Sequence, residues 1–130
     1  MTTADPQTGN CVLVVEDDGD IRESILEVLQ DNEYEAVAVS NGAEALARLR
    51  SAGPRPCLIL LDLVMPVMDG WKFRSAQASD PVLTSIPVVV LTAHGSAEKT
   101  AKEMQAAGFL KKPVRLEALL AVVGRYCDCA

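Results

Sequence analysis

A chain of 130 residues, 49% of them apolar, is long enough for one domain with a sizeable core and leaves little room for a second. Its net charge of -6, with acids and bases interspersed, excludes a basic face for nucleic acid, so no direct nucleic-acid binding is expected. No apolar run approaches the roughly 20 residues of a membrane span, and the polar start lacks a signal-peptide pattern, so a cytoplasmic protein without membrane contact is expected.

Residues 1–10 mix Thr, Asp, Pro, Gln and Gly without periodicity and predict a disordered tail. Apolar runs then alternate with helical patterns five times. The first run is Cys11–Val15; Asp17, Asp18 or Asp20 can cap a helix with Ile21, Ile25, Val28 and Leu29 on one face. Tyr34–Val39 reads as a second strand. Asn41 and Glu44, at capping-box spacing, open a helix carrying Ala43, Leu46 and Leu49, which Gly53-Pro54 ends. Cys57–Leu61 is the third strand, and the loop from Asp62 to Gly70 leads to a short helix around Trp71–Ala78. In that helix Phe73 is expected in the core and Trp71 partly exposed.

Val88–Leu91 is a fourth apolar run. Ser96 can cap a helix with Ala97, Ala101 and Met104 that ends at Gly108, and Phe109–Lys111 is a short fifth strand. Pro113 sits near the start of a last helix, in which Leu116, Leu119, Leu120 and Val123 have the spacing of a buried face. The chain ends four residues after Tyr126, which predicts a domain over 11–126, a short tail over 127–130 and no output domain. Of the four cysteines, Cys11 and Cys57 open apolar runs and read as small buried hydrophobes. Cys127 and Cys129 have no nearby His or Cys to complete a zinc site, and free thiols are expected.

Five strands alternating with five helices imply an α/β fold, with parallel strands and right-handed crossovers. Runs one, three and four are continuously apolar and suit central strands; run two, with Glu33 and Glu35, and the short run five suit edges. The order 2-1-3-4-5 meets these constraints, a doubly wound sheet of the flavodoxin-like kind. Ligands of such sheets bind beyond the carboxyl ends of the strands, where the order reverses. Strand one ends in Glu16-Asp17-Asp18, strand three in Asp62, strand four in Thr92 and strand five in Lys111-Lys112-Pro113. Carboxylates gathered there repel one another until a hard cation such as Mg²⁺ relieves them, and a carboxylate is a competent nucleophile toward phosphorus. Lysine and hydroxyl groups can hold the transferred oxygens. The constellation points to phosphoryl transfer onto an aspartate.

The blocks Val-Val-Glu16-Asp17-Asp18, Asp62-Leu-Val-Met-Pro-Val-Met-Asp69-Gly70, Leu91-Thr92-Ala93 and Lys111-Lys112-Pro113 resemble the signature blocks of two-component response-regulator receiver domains, of the stand-alone chemotaxis-receiver kind. The resemblance spans roughly residues 10 to 126. It implies that Asp62 is the phosphoacceptor, that Asp17 and Glu16 hold Mg²⁺ with Asp62 and the backbone carbonyl of Val64, and that Thr92 and Phe109 form the switch. It further implies that Lys112 pairs with the phosphoryl group, that a cis Lys112–Pro113 bond aims this lysine at the site, and that Val64 and His94 tune hydrolysis. The implied partners are a sensor histidine kinase or phosphotransfer protein and a downstream protein target met in trans. The implied role is that of a phosphoacceptor signalling domain, which catalyses only its own phosphorylation and dephosphorylation.

The plainer readings compete unevenly. Asp18 is best taken as a helix cap and Asp69-Gly70 as a turn. An acid at a strand end, as Glu16 and Asp62 are, needs a partner. A phosphorylation-independent adapter is disfavoured by the complete acidic, hydroxyl and lysine set. A flavodoxin-like cofactor binder is disfavoured by the acidic loop after strand one, and an aspartate-based phosphatase by the apolar Val64 where it needs a second acid.

Overall fold

The computed structural model describes residues 11–51, 55–63, 68–93 and 97–127. The predicted N-terminal tail, the Gly53-Pro54 stop, the Ser96 cap, Val64, His94 and Cys129 lie outside the described residues. In chain order the elements are β1 (Cys11–Val15), α1 (Gly19–Asp31), β2 (Glu35–Val39), α2 (Gly42–Arg50), β3 (Leu58–Asp62), α3 (Gly70–Ala78), β4 (Val88–Thr92), α4 (Ala97–Glu103), β5 (Gly108–Lys111) and α5 (Leu116–Tyr126).

The strands form one parallel sheet in the order β2-β1-β3-β4-β5. Every residue of β3 and β4 is buried, as continuous apolar runs require when both faces are covered, whereas the outer strands β2 and β5 are only partly so. Alternation along each strand divides the apolar side chains between two cores. Leu13, Val15, Ile59, Leu61, Val88 and Val90 pack with Leu46 and Leu49 of α2 and Phe73 of α3. Val12, Val14, Leu58, Leu60, Val89 and Leu91 pack with Ile25 and Leu29 of α1 and Leu119 and Val123 of α5.

Local chemistry sets the helix ends. Asp18 Oδ1 accepts from the Asp20 and Ile21 amides at the start of α1, and Asp69 Oδ1 accepts from the Lys72 amide at the start of α3. Asn41 Oδ1 accepts from the Glu44 amide, but Glu44 reaches back to the amide and hydroxyl of Ser40 rather than to Asn41, so the capping box closes one residue early.

Several expectations need correction. The second strand starts at Glu35 rather than Tyr34, because α1 closes through a bond from the Tyr34 amide to the Leu29 carbonyl, with Glu33 left-handed at φ 68°. The fourth helix ends at Glu103, not Gly108: Gln105 turns left-handed at φ 56°, the Ala106 amide donates to the Ala101 carbonyl, and Gly108 opens β5 instead. Leu116 is 51% exposed; it stands in the first turn of α5, and Val114 packs on the core ahead of it, while Leu119 and Val123 carry the buried face. Finally, Cys57 and Cys127 are not free thiols but disulfide-bonded, their Cα atoms 5.4 Å apart. Set against its near neighbour Cys129, Cys127 showed no partner in sequence; the fold brings it one from 70 positions away. Phe73 is fully buried and Trp71 is 46% exposed, as expected.

Candidate functional site

The turn after β1 carries two acids in contrasting settings. Glu16 extends the sheet by one bond, its amide donating to the Val39 carbonyl, and its side chain is completely buried. Asp17, one residue on, is exposed. Arg22 secures this turn: its Nη1 donates to the carbonyls of Glu16 at 3.0 Å and Asp17 at 3.4 Å. Nothing in the sequence reading singled out Arg22; a cation one turn after the Asp18 cap is its only signal.

Asp62 is the last residue of β3 and is 5% exposed. The chain leaving it is pinned by the Gly70 amide donating to the Leu63 carbonyl. A Cβ on Gly70 would stand 2.8 Å from the Asp62 carbonyl oxygen and 2.9 Å from Leu63 Cα, both backbone atoms, so only glycine fits there. Thr92 closes β4, and its carbonyl accepts from the Lys112 amide at 2.9 Å. The Lys112–Pro113 peptide is cis.

These strand ends converge. Lys112 Nζ lies 2.8 Å from Glu16 Oε1 and 3.1 Å from Asp62 Oδ1, bridging β1, β3 and β5. One carboxylate oxygen from each of Glu16, Asp17 and Asp62 falls within 4.8 Å of the others. Thr92 and Asp18 line the same cleft, of about 230 Å³. That volume is small against the ~300–1,000 Å³ of organic-ligand pockets and suits an ion with a phosphoryl-sized group. Phe109 lies elsewhere: it pairs with Val90 and is half-buried in the core on the α2–α3 side, and it does not line the cleft.

Electrostatics follows from the crowding. Burial, then the neighbouring Glu16 and Asp17, push the Asp62 carboxyl up to about 7, against a weaker opposing pull from Lys112. Burial alone would lower the Lys112 ammonium, but Glu16 and Asp62 outweigh it and hold it above its ordinary value. One lysine therefore faces three acids. The mismatch calls for further positive charge, and an all-oxygen donor set of this kind fits a hard divalent cation such as Mg²⁺, held by Glu16, Asp17 and Asp62.

Known proteins resemble this chain over most of its length. A family model for the response regulator receiver domain matches residues 12–124. The response regulator MprA of Mycobacterium avium is 35% identical over 113 residues, which are 85% of this chain and 47% of that protein. The chain thus spans about half the length of the curated relatives it matches. Among solved structures, the chemotaxis response regulator CheY4 of Vibrio cholerae superposes with a TM-score of 0.81 at 36% identity, covering 91% of this chain and 98% of that one. The Mn²⁺-bound form of response regulator Rcp1 superposes with a TM-score of 0.72 at 32% identity, covering 88% of each chain.

Proposed function

The chain belongs to the response regulator receiver family of two-component systems, and from that premise we propose that it accepts a phosphoryl group on Asp62 from a phosphohistidine of a sensor kinase or phosphotransfer protein. The observation that carries this reading is the meeting of the Glu16, Asp17 and Asp62 oxygens within 4.8 Å, with Lys112 bridging two of them. Glu16, Asp17 and Asp62, with the Val64 carbonyl, would hold Mg²⁺, which would supply positive charge to the phosphoryl oxygens; the Mn²⁺-bound relative supports such a site.

The chain's own groups have distinct roles. Lys112 engages Asp62 Oδ1, which leaves Oδ2 to attack phosphorus as the P–N bond to the donor histidine breaks. Asp62 must be ionised to attack, so its raised pKa makes the neutralising cations a requirement of the step. Lys112 then stays on the phosphoryl oxygens, and the Thr92 hydroxyl, at the end of β4, donates to one of them. Phe109 repacks in response and alters the face of α4, β5 and α5, through which a protein target is met in trans. The similarity to CheY4 over 98% of that chain supports action as a single receiver. No described helix is long and apolar enough to cross a membrane. By sequence position, two residues after Asp62 and two after Thr92, Val64 and His94 complete the reading as residues that set the phosphoryl lifetime, the apolar Val64 favouring slow hydrolysis.

The test is labelling by a small-molecule phosphodonor. Wild-type protein gains one phosphoryl group in the presence of Mg²⁺ and none after chelation. Asp62→Asn gains none while its circular dichroism is unchanged. Labelling of Asp62→Asn at the wild-type rate would sink the assignment.

A further inference from the structure

We propose that Cys57 and Cys127 form a reversible thiol–disulfide site that fastens the C-terminal end of α5 to the start of β3 and responds to low-molecular-weight disulfides. The site is separate from the carboxylate cleft: Cys57 precedes β3, and Asp62 ends it.

Position carries the proposal. Cys127 caps α5, and its Cα stands 5.4 Å from that of Cys57, within the span that a disulfide bridges without moving the backbone. Both residues are buried, at 8% and 4% exposure, in one apolar core with Leu58, Leu119 and Val123. The alternative partner is poorly placed. Cys11 Sγ is turned toward its neighbour's carbonyl, Val12 O, at 3.9 Å.

The reduced form is also provided for. Cys57 Sγ lies 3.3 Å from the Cys11 carbonyl oxygen, an acceptor for the Cys57 S–H once the bond opens. The bond matters most to α5, since the start of that helix has no side-chain cap and its last turn is otherwise held by the Cys127 amide on the Val123 carbonyl and by apolar packing. Where glutathione keeps thiols reduced, a disulfide of this kind is transient and sensing rather than permanent. The step balances with glutathione disulfide as oxidant: two protein thiols give up two protons and two electrons, the Cys57–Cys127 bond forms, and two glutathione thiols leave.

The experiment equilibrates the full chain in glutathione buffers from fully reduced to fully oxidised. A Cys11→Ser/Cys129→Ser background is run in parallel. Peptide mapping without reductant is expected to join the peptides bearing residues 57 and 127 with loss of two hydrogens. Oxidation raises Tm by roughly 10 °C, as closure of a long loop predicts, and slows amide exchange across 116–126 at least about tenfold. Cys127→Ala, at a helix terminus where folding is tolerant, removes the oxidation-dependent shift. Glutathione adducts in place of the cross-link, linkage through Cys11 or Cys129, or a Tm indifferent to redox state in the parent chain would each overturn the proposal.

Discussion

Asp62 is the residue at which the fold works against itself. Its carboxyl sits near 7 in the folded chain and at 3.8 where unhindered, because burial and two acidic neighbours penalise the ionised form. A carboxyl with a raised folded-state pKa keeps its full stabilising contribution below pH 3.8 and loses it as pH climbs through 7. Metal-free wild-type protein therefore weakens across that interval. Asp62→Asn removes the titration while Lys112 keeps Glu16 as partner. In urea unfolding without divalent ions, Asp62→Asn is expected to be more stable than wild type by about 1–3 kcal/mol at pH 8, with the gap closing at pH 4. A constant gap across pH would show that the strain is not ionic. Glu16, Asp17, Asp62, Thr92 and Lys112 were legible because each reactive type follows a strand-like run. Arg22 was not, since a cation donating to backbone carbonyls leaves no pattern in sequence. Gln77 was missed for the same reason: it is fully buried, and its Nε2 donates to the Leu83 and Ile86 carbonyls while Arg74 grips its oxygen.

At the level of elements, apolar periodicity located all ten segments but misjudged where they stop. The closures of α1 and α4 use Glu33 and Gln105 in left-handed conformation, positions that glycine would have advertised and these residues conceal. The last helix shows the complementary error, in which correct spacing included a residue one turn too early. The consequence is measurable. Leu116→Ser at the exposed start of α5 is expected to change stability by less than about 0.5 kcal/mol. Leu119→Ala, on the same stripe but 2% exposed, costs about 2–5 kcal/mol through the cavity it leaves. Thermal or urea denaturation of the two variants, giving equal losses, would mean that Leu116 is packed after all.

For the whole molecule, apolar character separated central from edge strands, because a central strand must be apolar on both faces and an edge strand need not be, and the order 2-1-3-4-5 met that constraint together with parallel, right-handed crossovers. Strand order in turn located the cleft. The Cys57–Cys127 link escaped the same logic: it joins ends that only the completed winding brings together, and neither flank carries a motif. The division of the interior into two cores has an effect of its own. The sheet divides two apolar clusters of described residues, one packed with Leu46 and Phe73, the other with Leu29 and Leu119. Residues Leu46 and Leu119 belong to different clusters. Leu46→Ala and Leu119→Ala should thus add within about 0.5 kcal/mol when combined, while Leu29→Ala with Leu119→Ala, inside one compartment, should depart from additivity. The two sides of the protein are then free to vary separately, and what has to stay common to both is the rim where the strands end.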